Sequence, residues 1–116
     1  MNVLITGYEG APFYKKGGLG DVMESLPKAL NKIGIDIRIV LPYYNAIRDE
    51  YHFKKEGEFT IEFNSSKEHI GVYSTLLPGT NVKTYFLENR KYLSSSTSGG
   101  KNKRIDRFAF FDLAIV

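Results

Sequence analysis

The chain has 116 residues, 42% hydrophobic and 25% charged, a composition that fits one globular domain and excludes both a disordered tail and a two-core protein. Its 16 basic and 13 acidic residues leave a net charge of +3, too mild for a dedicated nucleic-acid binder and compatible with a small anionic ligand. With no cysteine, the chain cannot form disulfides, use a thiolate in catalysis or bind a metal through cysteine, and this suits a reducing cytoplasm.

The amino terminus MNVLITGYEG has no basic segment and only a short apolar run, so it does not read as a signal peptide. No stretch approaches the roughly 18 apolar residues of a membrane span, and a soluble, cytoplasmic chain is expected. Residues 2–6, NVLIT, form a continuous apolar run before Gly7 and predict a buried first strand. Residues 7–18 read as a loop, punctuated by Gly7, Gly10, Pro12, Gly17 and Gly18.

From Leu19 the period becomes helical. Leu19, Val22, Met23, Leu26, Leu30 and Ile33 share one face, with Asp21, Glu24 and Lys28 away from it. Pro27 should kink this helix or shift its first turn, and Gly34 supplies the stop signal. Residues 35–41, IDIRIVL, return to strand character before Pro42. Strand, glycine-rich loop, helix and strand in succession make a βαβ unit and predict a parallel sheet in an α/β fold.

Strands are next predicted over 59–63, 69–77 and 82–89, joined by the turn-rich NSSKE and PGTN, as an antiparallel or mixed excursion attached to the sheet. Residues 94–103, SSSTSGGKNK, read as a low-complexity surface loop. RIDRFAFFDLAIV then looks like a buried helix, with Ile105, Phe108, Phe111 and Ile115 at suitable spacings. A buried element that reaches Val116 without a cap suggests a piece of something larger.

The chemistry concentrates in APFYKKGGLGDV, residues 11–22. A helix N-terminus after a strand presents unpaired N–H groups and a partial positive charge, which attract anions. Lys15, Gly17, Gly18 and Gly20 are placed to hold one, and a tight connection with solvated lysines is the competing reading. A dinucleotide fingerprint would need a third glycine where Met23 stands and an acidic residue near Val40–Pro42, so a nicotinamide cofactor is not expected. A P-loop needs its lysine after the glycines, whereas Lys15 and Lys16 precede them.

The run E-G-A-P-F-Y-K-K-G-G-L-G-D-V (Glu9 to Val22) closely resembles the start of bacterial glycogen synthases and plant starch synthases, E-x-x-P-x-x-K-T-G-G-L-[GA]-D-V. That family follows it with a helix containing L-P, here Leu26-Pro27. V-L-P-Y-Y (Val40 to Tyr44), Y-F-L-E-N-R-K-Y-L (Tyr85 to Leu93) and D-R-F-A-F-F-x-x-A (Asp106 to Ala114) are similar to its later elements, in the same order. The resemblance implies the Rossmann-like N-terminal domain of a two-domain, GT-B type glycosyltransferase. Residues 1–116 would be a partial catalytic domain, with the second Rossmann-like domain outside the chain.

The implied activity is a retaining transfer of glucose from ADP-glucose to the non-reducing end of an α-1,4-glucan, with no metal or cofactor. Lys15 would stabilise negative charge on the donor pyrophosphate, Gly17 and Gly18 would let the sugars approach the backbone, and Asp21 would meet sugar hydroxyls. The family's His-rich catalytic loop would lie outside residues 1–116, so no catalytic residue is assigned and the chain alone is expected to be inactive. Two departures stand out: Lys16 replaces the family threonine, and SSSTSGGKNK lacks the usual aromatic and Gly-Tyr character. A UDP-glucose-dependent relative of the same fold, or a non-catalytic carbohydrate- or nucleotide-binding remnant, are the rival readings.

The remaining candidates carry less. His52 and His69 stand apart from any ligand-type cluster and read as surface or strand residues. Lys101, Lys103, Arg104 and Arg107 form a basic run without interleaved stacking aromatics, which favours a solvated segment over a nucleic-acid site. Asn64-Ser65-Ser66 matches a glycosylation pattern that has no meaning without a secretory signal.

Overall fold

The apolar run at the amino terminus forms strand β1 (Asn2–Thr6), and the helical pattern forms α1 (Gly18–Lys32). These and the elements below belong to a computed structural model that describes residues 2–15, 17–47, 52–93 and 101–115. β2 (Asp36–Pro42) pairs parallel to β1, with Val3 opposite Ile37 and Ile5 opposite Ile39, as expected of a βαβ unit.

Helix α1 is continuous through Pro27 and ends in a Schellman motif. Gly34 adopts φ +86°, its N–H donates to the Asn31 carbonyl, and the Ile35 N–H donates to the Leu30 carbonyl. Only glycine reaches that backbone conformation without strain, and so the helix stops where the sequence places Gly34.

The central excursion consists of β3 (Lys54–Phe63), β4 (Ser66–Leu76) and β5 (Lys83–Glu88). β3 and β4 are an antiparallel hairpin whose two turn residues, Asn64 and Ser65, have φ of 51° and 62°. Both lie in the left-handed region, which matches the twist of a two-residue hairpin. β5 pairs antiparallel to β4 and parallel to β2, so the excursion returns the chain to the parallel sheet. The five-stranded order is β1-β2-β5-β4-β3.

Both faces of the sheet are covered. Ile37, Ile39, Leu41 and Phe86 point to the face that carries Met23 of α1 and the loop residue Phe13. Val40 and Leu87 point to the other face, against Phe110, Phe111 and Ala114 of α2 (Lys101–Ile115). Parallel strands buried on both sides read as unbroken apolar runs, as IVL does in β2.

The first strand, expected to be buried, is a sheet edge with Asn2, Leu4 and Thr6 exposed and Val3 and Ile5 half-buried, and the structure corrects three further expectations. Helix α1 buries Gly20, Met23 and Pro27, while Leu19, Val22, Leu26 and Ile33 are exposed. The small Gly20 lets the helix pack closely, its carbonyl accepting the Ala11 N–H at 2.9 Å. Each residue just ahead of the buried ones is thereby turned ~100° around the helix axis. Second, residues 101–103 belong to α2 and not to the predicted loop, whose remaining residues 94–100 lie outside the described ones. Third, α2 is buried on one side only, since Phe108 and Leu113 are exposed. Among the described residues no helix is long and apolar enough to cross a membrane.

Candidate functional site

The loop between β1 and α1 leaves the sheet at the carboxyl ends of β1 and β2, the end at which open α/β sheets bind ligands. Gly7 N–H donates to the Val40 carbonyl at 3.2 Å and prolongs the β1–β2 ladder by one residue. A Cβ at Gly7 would lie 3.0 Å from the Met23 side chain, and one at Gly10 would lie 3.0 Å from that of Leu41. Glycine at both positions brings the loop down onto the core.

Gly10 and Tyr14 then form a reciprocal backbone pair, 2.8 and 2.9 Å, that folds residues 10–14 into a tight turn. Phe13 inserts into the core edge-on to Phe86 at 5.1 Å, and Tyr14 lies 4.7 Å from the ring of Tyr44. The Tyr44 hydroxyl donates to the Tyr8 carbonyl at 2.7 Å, while the Tyr8 hydroxyl lies 3.1 Å from Asp112 Oδ1 of α2. The loop is thus tied to the sheet and to both helices before it reaches Lys15.

The helix N-terminus itself is capped from a distance. Gly17 precedes the helix with an extended backbone and has no side chain to cap it. Glu9 takes over: its Oε1 accepts the N–H of Gly17 at 3.2 Å and that of Gly20 at 2.8 Å. Two donors that the sequence reading offered to a ligand are therefore taken by a carboxylate of the chain. Those of Gly18 and Leu19 lie in the first turn, where a helix supplies no acceptor of its own.

The residues assigned to the site in sequence come together. Lys15 Nζ and Asp21 Oδ1 form an ion pair of 2.9 Å, with side chains 49% and 61% exposed. An exposed pair of this kind is worth about 0–1 kcal/mol, so the ammonium can be redirected at small cost. A Cβ at Gly20 would lie 2.8 Å from Lys15 Cγ, so only glycine there lets the lysine stem lie against α1.

Gly17 and Gly18 are different. Among the described residues, chain neighbours aside, nothing lies within 4 Å of a Cβ at Gly18, and one at Gly17 meets Glu9 Oε1 at 3.9 Å. Both are exposed, and neither is among the positive-φ residues. Packing among the described residues gives no reason for glycine at either position.

Glu9 is the residue whose part sequence reasoning missed. The available signal was a helix start without Ser, Thr, Asp or Asn at its cap and an acid shortly before it. The replacement at Lys16 lies outside the described residues. His52 and His69 take no part in the loop, and His69 Nε2 pairs with Glu58 Oε2 on the β3–β4 hairpin at 2.7 Å. Among the described residues no group of three or more His, Asp or Glu could hold a metal ion. A cleft of about 320 Å³ lined by Asn31, Asp36 and Asn81 lies at the opposite end of the strands.

Residues 2–116 match the family model described as starch synthase catalytic domain. The glycogen synthase of Clostridium novyi (strain NT) is 39% identical over an alignment covering 100% of this chain and 24% of that protein. The glycogen synthase of Lactobacillus acidophilus is 36% identical with the same coverage. Among solved structures, the catalytic domain of starch synthase IV from Arabidopsis thaliana, bound to ADP and acarbose, superposes with a TM-score of 0.82 at 25% identity. That match covers 98% of this chain and 24% of the other. The chain spans about a quarter of the length of the curated relatives it matches.

Proposed function

The chain belongs to the starch synthase catalytic domain family, and from that premise we propose that its glycine loop is one wall of an ADP-glucose and α-1,4-glucan site. The reading is that of a retaining glucosyltransferase of the GT-B type, to which this chain contributes the amino-terminal part. Gly17 and Gly18 carry the proposal: they are glycines that packing among the described residues does not require, next to a cation that is cheaply redirected. Glycine at such positions leaves room for a ligand to meet the backbone. The ADP and acarbose of the Arabidopsis relative indicate the kind of ligand.

In the transfer, the bond between glucose C1 and the β-phosphate oxygen breaks and a bond from C1 to the acceptor 4-oxygen forms. Negative charge grows on the departing ADP, and its leaving phosphate oxygen takes up the proton that the acceptor hydroxyl loses. Lys15, swung from Asp21 to the diphosphate, would stabilise that charge where it develops. Asp21, released from its ion pair, would accept hydrogen bonds from sugar hydroxyls. Glu9 would hold the first turn of α1 in place while this exchange occurs.

Isothermal titration of the chain with ADP-glucose, UDP-glucose and a malto-oligosaccharide tests the proposal. ADP-glucose should bind more tightly than UDP-glucose. Lys15→Ala should weaken it tenfold or more, about 1.4 kcal/mol, with an unchanged melting temperature. Equal binding by the variant would remove Lys15 from the site, and preference for UDP-glucose would point to a relative with another donor.

A further inference from the structure

Tyr44 is 2% exposed and sits just past β2, between two backbone anchors. On one side the Tyr43 N–H donates to the Leu87 carbonyl at 2.8 Å. On the other, the Tyr44 carbonyl accepts the Ile47 N–H at 3.0 Å in the short helical turn Asn45–Ile47. The same core contains Phe13 and Phe86, buried without a hydroxyl. Packing alone would therefore be met by phenylalanine at position 44. A buried tyrosine hydroxyl needs a partner, and this one finds it in the main chain of the glycine loop.

The contact falls on a sensitive point. The Tyr44 hydroxyl donates at 2.7 Å to the carbonyl of Tyr8, which belongs to the peptide unit that begins Glu9. Glu9 Oε1 in turn accepts the N–H groups of Gly17 and Gly20. The Tyr44 ring meets the loop where it ends: the ring of Tyr14, the residue before Lys15, lies 4.7 Å away. One anchored side chain thus touches both the residue before Glu9 and the residue before Lys15. The Tyr8 side chain is fixed separately, by Asp112 and by the rings of Phe108 and Phe111 at 4.6 and 5.0 Å. That leaves the orientation of the Tyr8–Glu9 peptide to Tyr44.

We infer that Tyr44 is a positioning residue for the site. Its hydroxyl sets Glu9 over the first turn of α1, and its ring sets the backbone that delivers Lys15. It acts through the loop and not on the ligand, and this part rests on the reading of the loop as a nucleotide-sugar site. Binding groups of that kind depend on the contacts that support them, because a displacement of about 1 Å is enough to cost function.

Tyr44→Phe keeps the ring and its packing and deletes only the hydroxyl. In the ligand-free variant the Gly20 amide proton should move upfield, as its hydrogen bond to Glu9 Oε1 lengthens, while the amide resonances of the β3–β4 hairpin stay in place. Isothermal titration should show ADP-glucose binding weakened about fivefold, the net worth of one hydrogen bond, with a melting temperature at most a few degrees lower. A purely structural role would lower the melting temperature and leave the affinity of the folded chain unchanged. Tyr85→Phe removes a hydroxyl that accepts from Arg38 at 2.7 Å, away from the loop; it should alter neither the Gly20 resonance nor the affinity. An unmoved Gly20 amide in Tyr44→Phe, or an affinity equal to the parent's, would overturn the inference. Absence of ADP-glucose binding by the parent would instead defeat the donor reading, and the ligand-free Gly20 resonance would still decide whether Tyr44 sets Glu9.

Discussion

Glu9 Oε1 accepts from both Gly17 and Gly20, so the position that a bare helix N-terminus offers to an anion is already filled from within the chain. What the loop presents outward is therefore a lysine, two open glycines and an aspartate, over a first turn that is firmly held. Lys15, Gly17, Gly18 and Asp21 were legible as a cluster because they are adjacent in sequence on a strand-to-helix turn. Glu9 was not, because its distance from Gly20 depends on the path of residues 10–14, which the packing of Phe13 and Tyr14 determines. Loss of a helix cap typically costs about 1 kcal/mol, or a few degrees in melting temperature. Glu9→Ala should show that loss by thermal denaturation, and Glu9→Gln, which keeps an acceptor oxygen, should recover most of it. An unchanged transition in Glu9→Ala would mean that Glu9 does not hold the turn.

Among the elements, α1 shows where a periodic pattern stops being informative. Its start, its end at Gly34 and its amphipathic character could be read directly. The side turned inward could not, because an apolar stripe has the same spacing whether it is buried or, as with Leu19, Val22 and Leu26, exposed. β5 was visible as a strand, but its parallel pairing with β2 depends on contacts far apart in sequence. Three of the four family-like segments turn out to be structural. Asn89, buried at the end of β5, accepts the N–H groups of Lys91 and Tyr92 and donates to the His69 carbonyl. Tyr43 and Tyr44 pack in one core, and Phe110 and Phe111 in the other.

The β3–β4 hairpin makes a prediction about pH. A hydrogen bond from His69, with a second from Lys55, holds the Glu58 carboxyl below its ordinary value near 4.5. The Ser74 hydroxyl and Lys83 do the same for Glu56, against the opposing effect of burial. A carboxylate with a depressed folded-state pKa contributes stability above its unfolded value and loses it as the pH falls through the folded one. Melting temperature should therefore hold steady from neutrality and decline below about pH 4.5. Glu56→Gln with Glu58→Gln should flatten that decline, and a variant that falls as steeply as the parent would refute the assignment.

At the scale of the whole molecule, both faces of the sheet are covered, while among the described residues no strand pairs with the open edge of β1 beside the glycine loop. The loop leaves the carboxyl ends of β1 and β2, the end of an open α/β sheet at which ligands bind. The chemistry of residues 11–22 was readable because they are contiguous, whereas their place at that end of the sheet emerges only from the pairing of β1 with β2. The α/β class followed from one strand–loop–helix–strand pattern, whereas the open edge appears only when the strands are placed in order. The central claim is that the loop meets a nucleotide sugar with Lys15, Gly17, Gly18 and Asp21. It is tested most directly by following the backbone amide resonances of the labelled chain during titration with ADP-glucose. Saturable shifts should concentrate at those four residues, and Lys15→Ala should raise the ligand concentration they require tenfold or more. Shifts confined to the cleft around Asn31, Asp36 and Asn81, or none at millimolar ligand, would contradict it.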